Sequence, residues 1–536
     1  MAAQQPPIVL YDTLSASKRP LELLEPGRCR IYTCGPTVYD MSHIGHARAA
    51  IVPDVLVRTL RELGVEVTYA RNVTDIDDKI IRRAAEEGST PGAVAERYTA
   101  EYHRDLADLG CLEPDVEPRV TAHVPEIISM IEALVERGLA YASDGDVYYR
   151  VAAFAPYGAL SKRSLEDMQA GARVEVNERK ENPLDFVLWK GAKPGEPAWA
   201  SPWGEGRPGW HIECSAMSRR YLGDTFDVHV GGRDLIFPHH ENEIAQSQGA
   251  CGVGTFARHW VHNGFVDFAG EKMSKSLGNF FTIREVTALY PAEALRFFLL
   301  GVHYRSGINF DVEVPCPGCG APLSTDEQHG EACPHCGARL EVDELRRRVR
   351  FPGLEEADDR VKAIYETLER AQVFLNGPGG GQGAVAPEPP EVPVSPAVAD
   401  MLSRFRAAMS DDLNTAAAIA CLSEPLREVN RLLVAKKKEV DPVQRRATIA
   451  RFLRDMAAVS RFLGIFGADP GTYLRARRDR KAARLGLDTA AIEALLVRRE
   501  QARAEKRWKE ADALRDELAS RGVVVNDAAG HSSWTL

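Results

Sequence analysis

The chain has 536 residues, which is too long for one hydrophobic core and predicts roughly three to five domains. Its hydrophobic fraction of 44% is ordinary for a globular protein, and no stretch approaches the ~18 apolar residues of a membrane helix. The net charge of −10 argues against a protein that coats nucleic acid non-specifically, although a local basic face is still compatible with it.

The N-terminus, residues 1–10, has neither the basic start nor the apolar run of a signal peptide. We therefore expect a cytoplasmic chain that does not enter a membrane. Its ten cysteines are then expected to be reduced thiols or metal ligands rather than disulfides. Four of them have no partner pattern and are interpreted as ordinary thiols, namely Cys29, Cys111, Cys251 and Cys421.

The chain begins with a strand, a helix and a second strand. Residues 29–34 alternate like a strand that ends in a Gly-Pro turn, residues 44–63 have helical spacing, and residues 65–70 are β-rich after Gly64. This βαβ unit predicts an α/β fold with a doubly wound, parallel, Rossmann-like sheet. Ligands of such sheets bind at the carboxyl ends of the strands, where Cys34 and the turn at residues 43–46 lie.

The segments that follow are predicted to be first mixed and then helical. A mixed insertion holds a helix at 126–137 and a strand at 147–150, and sheet-like residues return at 226–230. Helices are predicted from about His239 to Gln248 and at 291–300, where Pro291 suits the first turn. The Gly/Pro-rich residues 377–397 predict a linker, and the periodicity of residues 398–466 and 488–521 predicts helices.

Two short motifs predict a nucleotide site. His43-Ile44-Gly45-His46 places two imidazoles on one side of a first helical turn, whose positive end suits an anion, while Gly45 leaves room for a nucleotide. Lys272 and Lys275, in Lys-Met-Ser-Lys-Ser, can neutralise a leaving pyrophosphate. Alone, each motif is compatible with a surface turn or a solvated basic loop. Together they predict a grip on ATP while a carboxylate attacks its α-phosphate.

A metal site is possible at Cys34, Cys214, His239 and Glu243. His239 and Glu243 are four residues apart on the predicted helix and can chelate one ion, but His240 and Glu243 could also share a face. Spacing alone does not choose between the two histidines, and it does not bring the two cysteines to them. Buried cysteines beside a solvated helix are the alternative.

The strongest metal pattern is a pair of Cys-Pro-x-Cys-Gly knuckles, with 13 residues between Cys319 of the first and Cys333 of the second. The glycine after each knuckle permits a tight turn, and four thiolates fill a tetrahedron with no open position. The pattern predicts a structural zinc ribbon, with a ribbon that has lost its metal or binds iron as the alternative. Its ligands would be Cys316, Cys319, Cys333 and Cys336.

Basic runs at residues 436–438 and 475–484 are typical of solvated helix faces. In a protein that holds an RNA, they would become candidate phosphate contacts. Trp508 and Trp534 could stack on bases or could lie in a core.

The chain resembles the cysteinyl-tRNA synthetases of class I over almost its entire length. The resemblance is carried by residues 32–40 leading into the histidine motif, by 72–79, 209–215 and 237–243, and by the lysine motif. It implies an active-site zinc that binds the thiolate of the substrate, and it settles the ligand choice against His240. The implied ligands are Cys34, Cys214, His239 and Glu243.

The resemblance also implies the reaction. ATP, L-cysteine and tRNA(Cys) are the expected substrates, Mg²⁺ is expected with ATP, and the chain is expected to be a monomer. Ordinary pocket contacts separate cysteine from serine by only ~1–3 kcal/mol, whereas a soft metal strongly prefers a thiolate. The implied catalytic residues are His43, His46, Lys272 and Lys275. Thr37 and Gly45 are expected to contact ATP as well, and the amino-acid pocket is expected to include Thr74, Trp210 and Asp234.

The predicted boundaries divide the chain into nine segments. They are 1–120 and 206–265 for the two halves of the catalytic domain, 121–205 for a connective insertion, 266–313 for the lysine-loop and stem-contact region, 314–350 for the zinc ribbon, 351–376 for a helical continuation, 377–397 for the linker, 398–470 for a helical bundle and 471–536 for an anticodon-recognition region. The ribbon departs from the typical family pattern, so the family gives it no role. We hypothesise that it lies near the path of the tRNA acceptor stem.

Two other functions compete with this interpretation. A cysteine–amino-sugar ligase shares the catalytic domain, but the long helical region at 398–536 argues against it. A non-catalytic, zinc-containing RNA-binding relative is disfavoured by the intact histidine and lysine motifs.

Overall fold

A computed structural model describes residues 8–166, 168, 179–268, 271–272, 281–323, 327, 331–341, 344–345, 348–377, 392–436, 438–528 and 531–536. In the first half of the chain its elements are β1 (Val9–Asp12), β2 (Ser17–Pro20), β3 (Arg28–Thr33), α1 (Ile44–Glu62), β4 (Glu66–Arg71), α2 (Asp78–Glu87), α3 (Pro91–Asp108), α4 (Val124–Glu136), β5 (Ala140–Ser143), β6 (Asp146–Tyr149), β7 (Phe186–Gly191), β8 (Gly206–Pro208), α5 (Trp210–Leu222), β9 (Phe226–Gly232), α6 (Glu241–Cys251), β10 (Ala257–Asn263), β11 (Val266–Phe268) and β12 (Glu271–Lys272).

The second half is mainly helical. It contains α7 (Ile283–Leu289), α8 (Ala292–Leu300), β13 (Ile308–Asn309), α9 (Pro352–Asn376), α10 (Pro396–Ala399), α11 (Met401–Ser410), α12 (Thr415–Ala420), α13 (Ser423–Val434), α14 (Pro442–Leu463), α15 (Pro470–Arg484), α16 (Thr489–Ala504), α17 (Trp508–Ser520), β14 (Val524–Ala528) and β15 (His531–Thr535). Within the described ranges, no helix has the length and apolar character needed to cross a membrane.

The first half is organised around a parallel sheet with the strand order β10-β9-β3-β4. Side chains of β3 alternate between the two faces, as a strand requires. Ile31 packs in the core that contains α1, and Tyr32 packs on the other side with Cys214 of α5 and Ile244 of α6. Helices therefore cover both faces, which confirms the predicted doubly wound α/β fold and brings the carboxyl ends of the four strands to one edge.

The local predictions are confirmed with small shifts. The helix expected at 44–63 is α1, and Gly64 follows it with φ +84°. The helix expected from His239 begins as an α-helix only at Glu241, because the chain is kinked just before it, with Phe237 extended at φ −139° and ψ 131°. Pro291 is the N-cap of α8 and not a first-turn residue.

The insertion between β4 and β9 forms its own antiparallel sheet, with the order β5-β6-β7-β8. Only β6 was expected from the sequence, because the other strands are short or carry mixed polarity. Gly209, just before α5, lies so close to Val187 that a Cβ would meet its carbonyl oxygen at 2.3 Å. This close contact ties the insertion to the helix that carries Cys214.

The helical half packs directly on the sheet region. Helix α9 contacts α8, α13, α14 and α15, and the bundle expected at 398–466 is confirmed as α10–α14. Asp412 links it to the N-terminus, because its buried carboxylate accepts the backbone N–H of Tyr11 at 2.8 Å and the hydroxyl of Tyr304 at 2.7 Å. The last described elements, β14 and β15, form a hairpin that the sequence did not indicate.

Part of the basic run at 475–484 makes contacts within the fold. Arg477 is 7% exposed and donates to both carboxylate oxygens of Asp358 at 2.9 Å. The Arg478 guanidinium lies 4.1 Å from the centre of the Trp534 ring. Trp534 is 2% exposed and is a core residue, so of the two tryptophans considered for base stacking only Trp508, at 58%, faces solvent.

A buried guanidinium joins the two halves. Arg296 of α8 is fully buried and forms an ion pair with Asp54 of α1. It also donates to the carbonyl oxygens of Leu463 at 2.7 Å and Leu109 at 3.3 Å, so that one side chain connects α1, α3 and α14.

We expect Arg296→Met to lower the free energy of unfolding by about 3 kcal/mol or more, because the buried Asp54 carboxylate then loses its buried cationic partner. Arg58→Met is the matched control, since Arg58 lies 2.9 Å from the same carboxylate near the surface. The loss of the Arg58 guanidinium should lower the free energy of unfolding by about 1 kcal/mol or less. Urea unfolding measures both, and equal losses would contradict a junction role for Arg296.

Candidate active site and metal centre

The site begins where β3 and β4 end. Beyond Thr33 and Arg71 the two chains stay close, and Thr37 forms an isolated parallel bridge with Thr74. A Cβ on Gly35 would lie 1.5 Å from the carbonyl oxygen of Asn72, so only glycine fits there. This close approach places Cys34 and Asn72 side by side at the carboxyl edge of the sheet.

Three further segments bring potential metal ligands to Cys34. The Cys34 Sγ lies 3.7 Å from the Sγ of Cys214 on α5 and 3.5 Å from Oε1 of Glu243 on α6. The Nε2 of His239 lies 3.0 Å from the same Glu243 oxygen. The four ligand atoms all lie within 4.8 Å of one another, so the structure brings together the set that the resemblance implies.

A second set shares two of these residues. Cys34 and Glu243 also lie within 4.8 Å of nitrogens of His229 and His240. His240 Nε2 is 3.4 Å from the Cys34 Sγ but 3.9 Å from Glu243 Oε1. The first set offers two sulfurs and the second only one, so a soft ion favours the first set.

Histidines that the sequence interpretation did not single out surround the ligands. His211 Nδ1 lies 2.9 Å from His239 Nδ1, and His229 Nε2 lies 2.9 Å from Glu243 Oε2. His262 Nε2 lies 2.8 Å from His240 Nδ1. Such contacts orient metal ligands from outside. The sequence did contain one sign of them. His229 and His262 interrupt runs of apolar residues that form strands, and a buried imidazole in such a strand needs a polar partner.

The charge state of the cluster is strongly perturbed. Burial would raise the pKa of Glu243, but the charges and hydrogen bonds of His229 and His239 lower it to about 2. Burial would lower the pKa of His239, but Glu243 and Cys214 raise it to about 10. The hydrogen bond from Cys34 lowers the pKa of Cys214 to about 6. A carboxylate and a thiolate are thus formed at neutral pH, whereas the His239 ring keeps a proton that it must release before its Nε2 can bind a metal ion. With that proton released, the donor set fits a soft divalent cation.

The histidine motif caps α1 in an unusual way. The Nδ1 of His43 accepts the N–H of Gly45 at 3.0 Å, and the Nδ1 of His46 accepts the N–H of His43 at 3.2 Å. Burial lowers the pKa of His43 to about 4 and that of His46 to about 3, so both rings are neutral at pH 7. Since Nδ1 is an acceptor in each ring, the proton must be on Nε2. Both Nε2–H groups are therefore donors at the positive end of the helix.

The lysine motif lies mostly outside the described residues. Only the backbone of Lys272 is described, in β12, and Lys275 lies outside the described ranges. The chain just after the motif is anchored to the histidine turn, because the N–H of Ile44 donates to Phe281 at 3.3 Å and the N–H of Ile283 donates to Ser42 at 2.9 Å. His43 and Thr282 form an antiparallel bridge between these bonds.

The three residues expected in the amino-acid pocket border the cluster in different ways. Trp210 is 40% exposed, and its ring centre lies 4.4 Å from that of His239. The buried Thr74 hydroxyl donates to Glu213 at 3.0 Å. Asp234 is exposed, and its negative charge opposes the lowering of the His43 pKa.

The knuckle cysteines converge at a second place. Cys316 Sγ lies 3.6 Å from Cys336 Sγ, and Cys319 Sγ lies 4.0 Å from Cys333 Sγ. All four sulfurs lie within 4.8 Å of one another. The two knuckles have the same backbone turn, and the glycines after them, at positions 320 and 337, have φ +73° and +71°.

This fold and histidine-capped helix are those of a class I aminoacyl-tRNA synthetase. Residues 20–314 match the model of the tRNA synthetases class I (C) catalytic domain, residues 404–467 the DALR domain and residues 488–534 the cysteinyl-tRNA ligase anticodon binding domain. The fold is shared with methionyl-tRNA synthetase of Mycobacterium tuberculosis in complex with methionyl-adenylate, at 16% identity and a TM-score of 0.57. That match covers 83% of this chain and 93% of the other.

Curated relatives define the family more narrowly. The cysteine–tRNA ligase of Anaeromyxobacter dehalogenans (strain 2CP-C) is 49% identical over 534 residues, which cover 99% of both chains. That of Geobacter sulfurreducens is 47% identical over 527 residues, covering 98% of this chain and 99% of the relative. The chain belongs to the cysteine–tRNA ligase family. These relatives are about as long as this chain, so the length added by the ribbon segment is not peculiar to it.

The neutral state of His46 predicts a pH effect on stability. Below about pH 6.5 the unfolded chain protonates this histidine while the folded chain does not, so acid favours unfolding. Because the ring is partly open to solvent, we expect the free energy of unfolding of the wild type to fall by about 1 kcal/mol more than that of His46→Gln between pH 7 and pH 5. Parallel pH profiles in urea titrations would contradict this.

Proposed function

We propose that this chain joins L-cysteine to tRNA(Cys) in two steps. The cysteine carboxylate attacks the α-phosphate of ATP, which forms cysteinyl-adenylate and releases pyrophosphate. The terminal adenosine of the tRNA then attacks the adenylate carbonyl and releases AMP. The observation that carries the proposal is the Cys34–Cys214–His239–Glu243 cluster at the same sheet edge as the capped helix, in a chain that matches its relatives from end to end.

The first step needs charge stabilisation rather than a covalent nucleophile. The Nε2–H groups of His43 and His46 are fixed donors and stabilise negative charge that develops on the phosphates. They need no reorientation, because backbone groups hold both Nδ1 atoms. Lys272 and Lys275 are proposed to neutralise the departing pyrophosphate, and Mg²⁺ is proposed to accompany ATP.

Selectivity for cysteine is proposed to come from zinc bound by Cys34, Cys214, His239 and Glu243. When bound, this ion supplies a soft Lewis-acidic centre that prefers a thiolate to a hydroxyl group. The protein residues orient it: His229 and His211 hold Glu243 and His239 in place. Trp210, Thr74 and Asp234 are proposed to line the rest of the amino-acid pocket, and Thr37 and Gly45 to contact ATP.

A second zinc is proposed at the ribbon, held by Cys316, Cys319, Cys333 and Cys336. Four sulfurs around one point leave no open position, so its role is structural. The C-terminal region is proposed to bind the tRNA, with the exposed Trp508 available for stacking. The domain boundaries, a monomeric state and a cytoplasmic location stay predictions.

The direct test of the function is ATP–pyrophosphate exchange followed by charging. We expect exchange that depends on cysteine and is lower with serine by a factor of about 10⁴ or more, because the two differ at the metal-binding atom. We also expect the purified chain to charge tRNA(Cys). Exchange without charging would favour the amino-sugar ligase, and no exchange would favour the RNA-binding relative.

Metal analysis distinguishes the two ligand sets. We expect about two zinc ions per chain, with about one lost in His239→Asn and in Cys214→Ser, and about one lost in Cys319→Ser. His240→Asn is the matched control and should retain both ions. Loss of zinc in His240→Asn but not in His239→Asn would instead assign the ion to Cys34, His229, His240 and Glu243.

A further inference from the structure

The ribbon leaves the core and returns to it at one place. The N–H of Glu313 donates to the carbonyl of Arg350 at 2.9 Å, and the N–H of Arg350 donates back to Glu313 at 2.8 Å. Immediately outside this closure, the rings of Phe310 and Phe351 have centres 4.9 Å apart. Both phenylalanines are 1% exposed. The two ends of the ribbon are therefore held together inside the main core.

Phe351 also holds the chain that follows the lysine motif. Its ring meets that of Phe281 edge to face, with centres 5.2 Å apart. Phe281 is the first described residue after the motif, and its carbonyl accepts the N–H of Ile44 on α1. The next residue, Thr282, forms the bridge to His43. One aromatic contact thus separates the base of the ribbon from the histidine turn.

Phe310 holds the chain that precedes the motif. Its N–H donates to the carbonyl of Asp267 in β11 at 2.7 Å. Asp267 pairs in turn with Lys272 in β12, the first residue of the motif. Lys272 and Phe281, the described residues on either side of the undescribed residues 273–280, are therefore both connected to the two phenylalanines that flank the ribbon.

The ribbon has little apolar core of its own among its described residues. The few buried apolar side chains of that part, among them Leu323, Leu340 and Leu345, join the cluster that contains Phe310 and Phe351, while Cys319 and Cys336 are exposed. Segments of this size usually need a metal to fold. A bound ion would join residues 316–319 to residues 333–336 and so shorten the free chain between Glu313 and Arg350. A shorter free chain lowers the entropic cost of holding those two ends together.

We propose that the metal-closed ribbon is a positioning element for adenylate formation. By holding Phe310 against Phe351, it sets both attachments of the lysine motif and, through Thr282, the His43 turn. Phe310 and Phe351 are positioning residues in this account. The proposal rests on the proposed reaction and on the proposed ribbon zinc, and it gives the ribbon a role within the catalytic region rather than on the tRNA.

The first test leaves the ribbon ligands intact. In Phe351→Leu we expect kcat of cysteine-dependent pyrophosphate exchange to fall about tenfold or more, because small misplacements of reacting groups slow catalysis strongly. The KM for cysteine and the zinc content should be unchanged. Phe405→Leu is the matched control: Phe405 is equally buried and meets Phe462 edge to face at 5.5 Å in the helical bundle. The Phe405→Leu variant should lose a similar free energy of unfolding but keep the wild-type kcat of pyrophosphate exchange.

The second test removes the ribbon metal in the full-length chain. Cys319→Ser combined with Cys336→Ser should lower kcat as Phe351→Leu does, and adding Phe351→Leu should lower it little further. Hydrogen exchange gives a readout that is independent of activity: the amides of Ile44 and Ile283, which are hydrogen-bonded across the histidine turn, should exchange faster in both variants.

The outcomes separate this proposal from the proposed function. Wild-type kcat together with wild-type protection of the two amides in the metal-free ribbon variant would overturn it. A tRNA affinity that falls in that variant while exchange and protection are unchanged would also overturn it and favour a contact with the acceptor stem. If the wild type shows no cysteine-dependent exchange, the proposed function fails, and the protection of the two amides still decides whether the ribbon positions the turn.

Discussion

One fully buried carboxylate organises the candidate active site. Glu243 is removed from solvent, and a charge in such a place must be compensated by its neighbours. His229 and His239 provide that compensation on the two oxygens separately. The surrounding shell of His211, His240 and His262 follows, because each charged or metal-binding group needs its own partner in an apolar interior.

The sequence was sufficient where chemistry and local geometry coincide. Residues 28–71 carry a strand, a helix and a strand in succession, so β3, α1 and β4 could be predicted from spacing alone. The knuckles around Cys316 and Cys333 were equally readable, since each is a local turn with its own glycine. The short spacing of His43 and His46 placed both rings at a helix start, and α1 confirms that placement.

Other features depend on contacts that no local pattern contains. Spacing could not choose between His239 and His240, because both rings lie within reach of Cys34 and Glu243 in the folded chain. The partners His211 and His229 come from other elements. Arg477 was grouped with solvated basic residues because its acceptor, Asp358, lies on α9 and is distant in sequence. The hairpin of β14 and β15 was missed because its residues are mixed in polarity, and Trp534 of β15 is buried only where it meets side chains of α15, α16 and α17.

The glycine at position 35 limits how the backbone of such an enzyme can change. Because no side chain fits between it and Asn72, the backbones that carry Cys34 and Thr37 share one fixed separation. The proposed thiol-binding and nucleotide-binding regions are thus built on the same pair of strand ends. A shift of this backbone would alter both regions together. New amino-acid specificity on this scaffold would have to arise by exchanging side chains around an unchanged main chain. The backbone positions proposed to contact the nucleotide would then stay as they are.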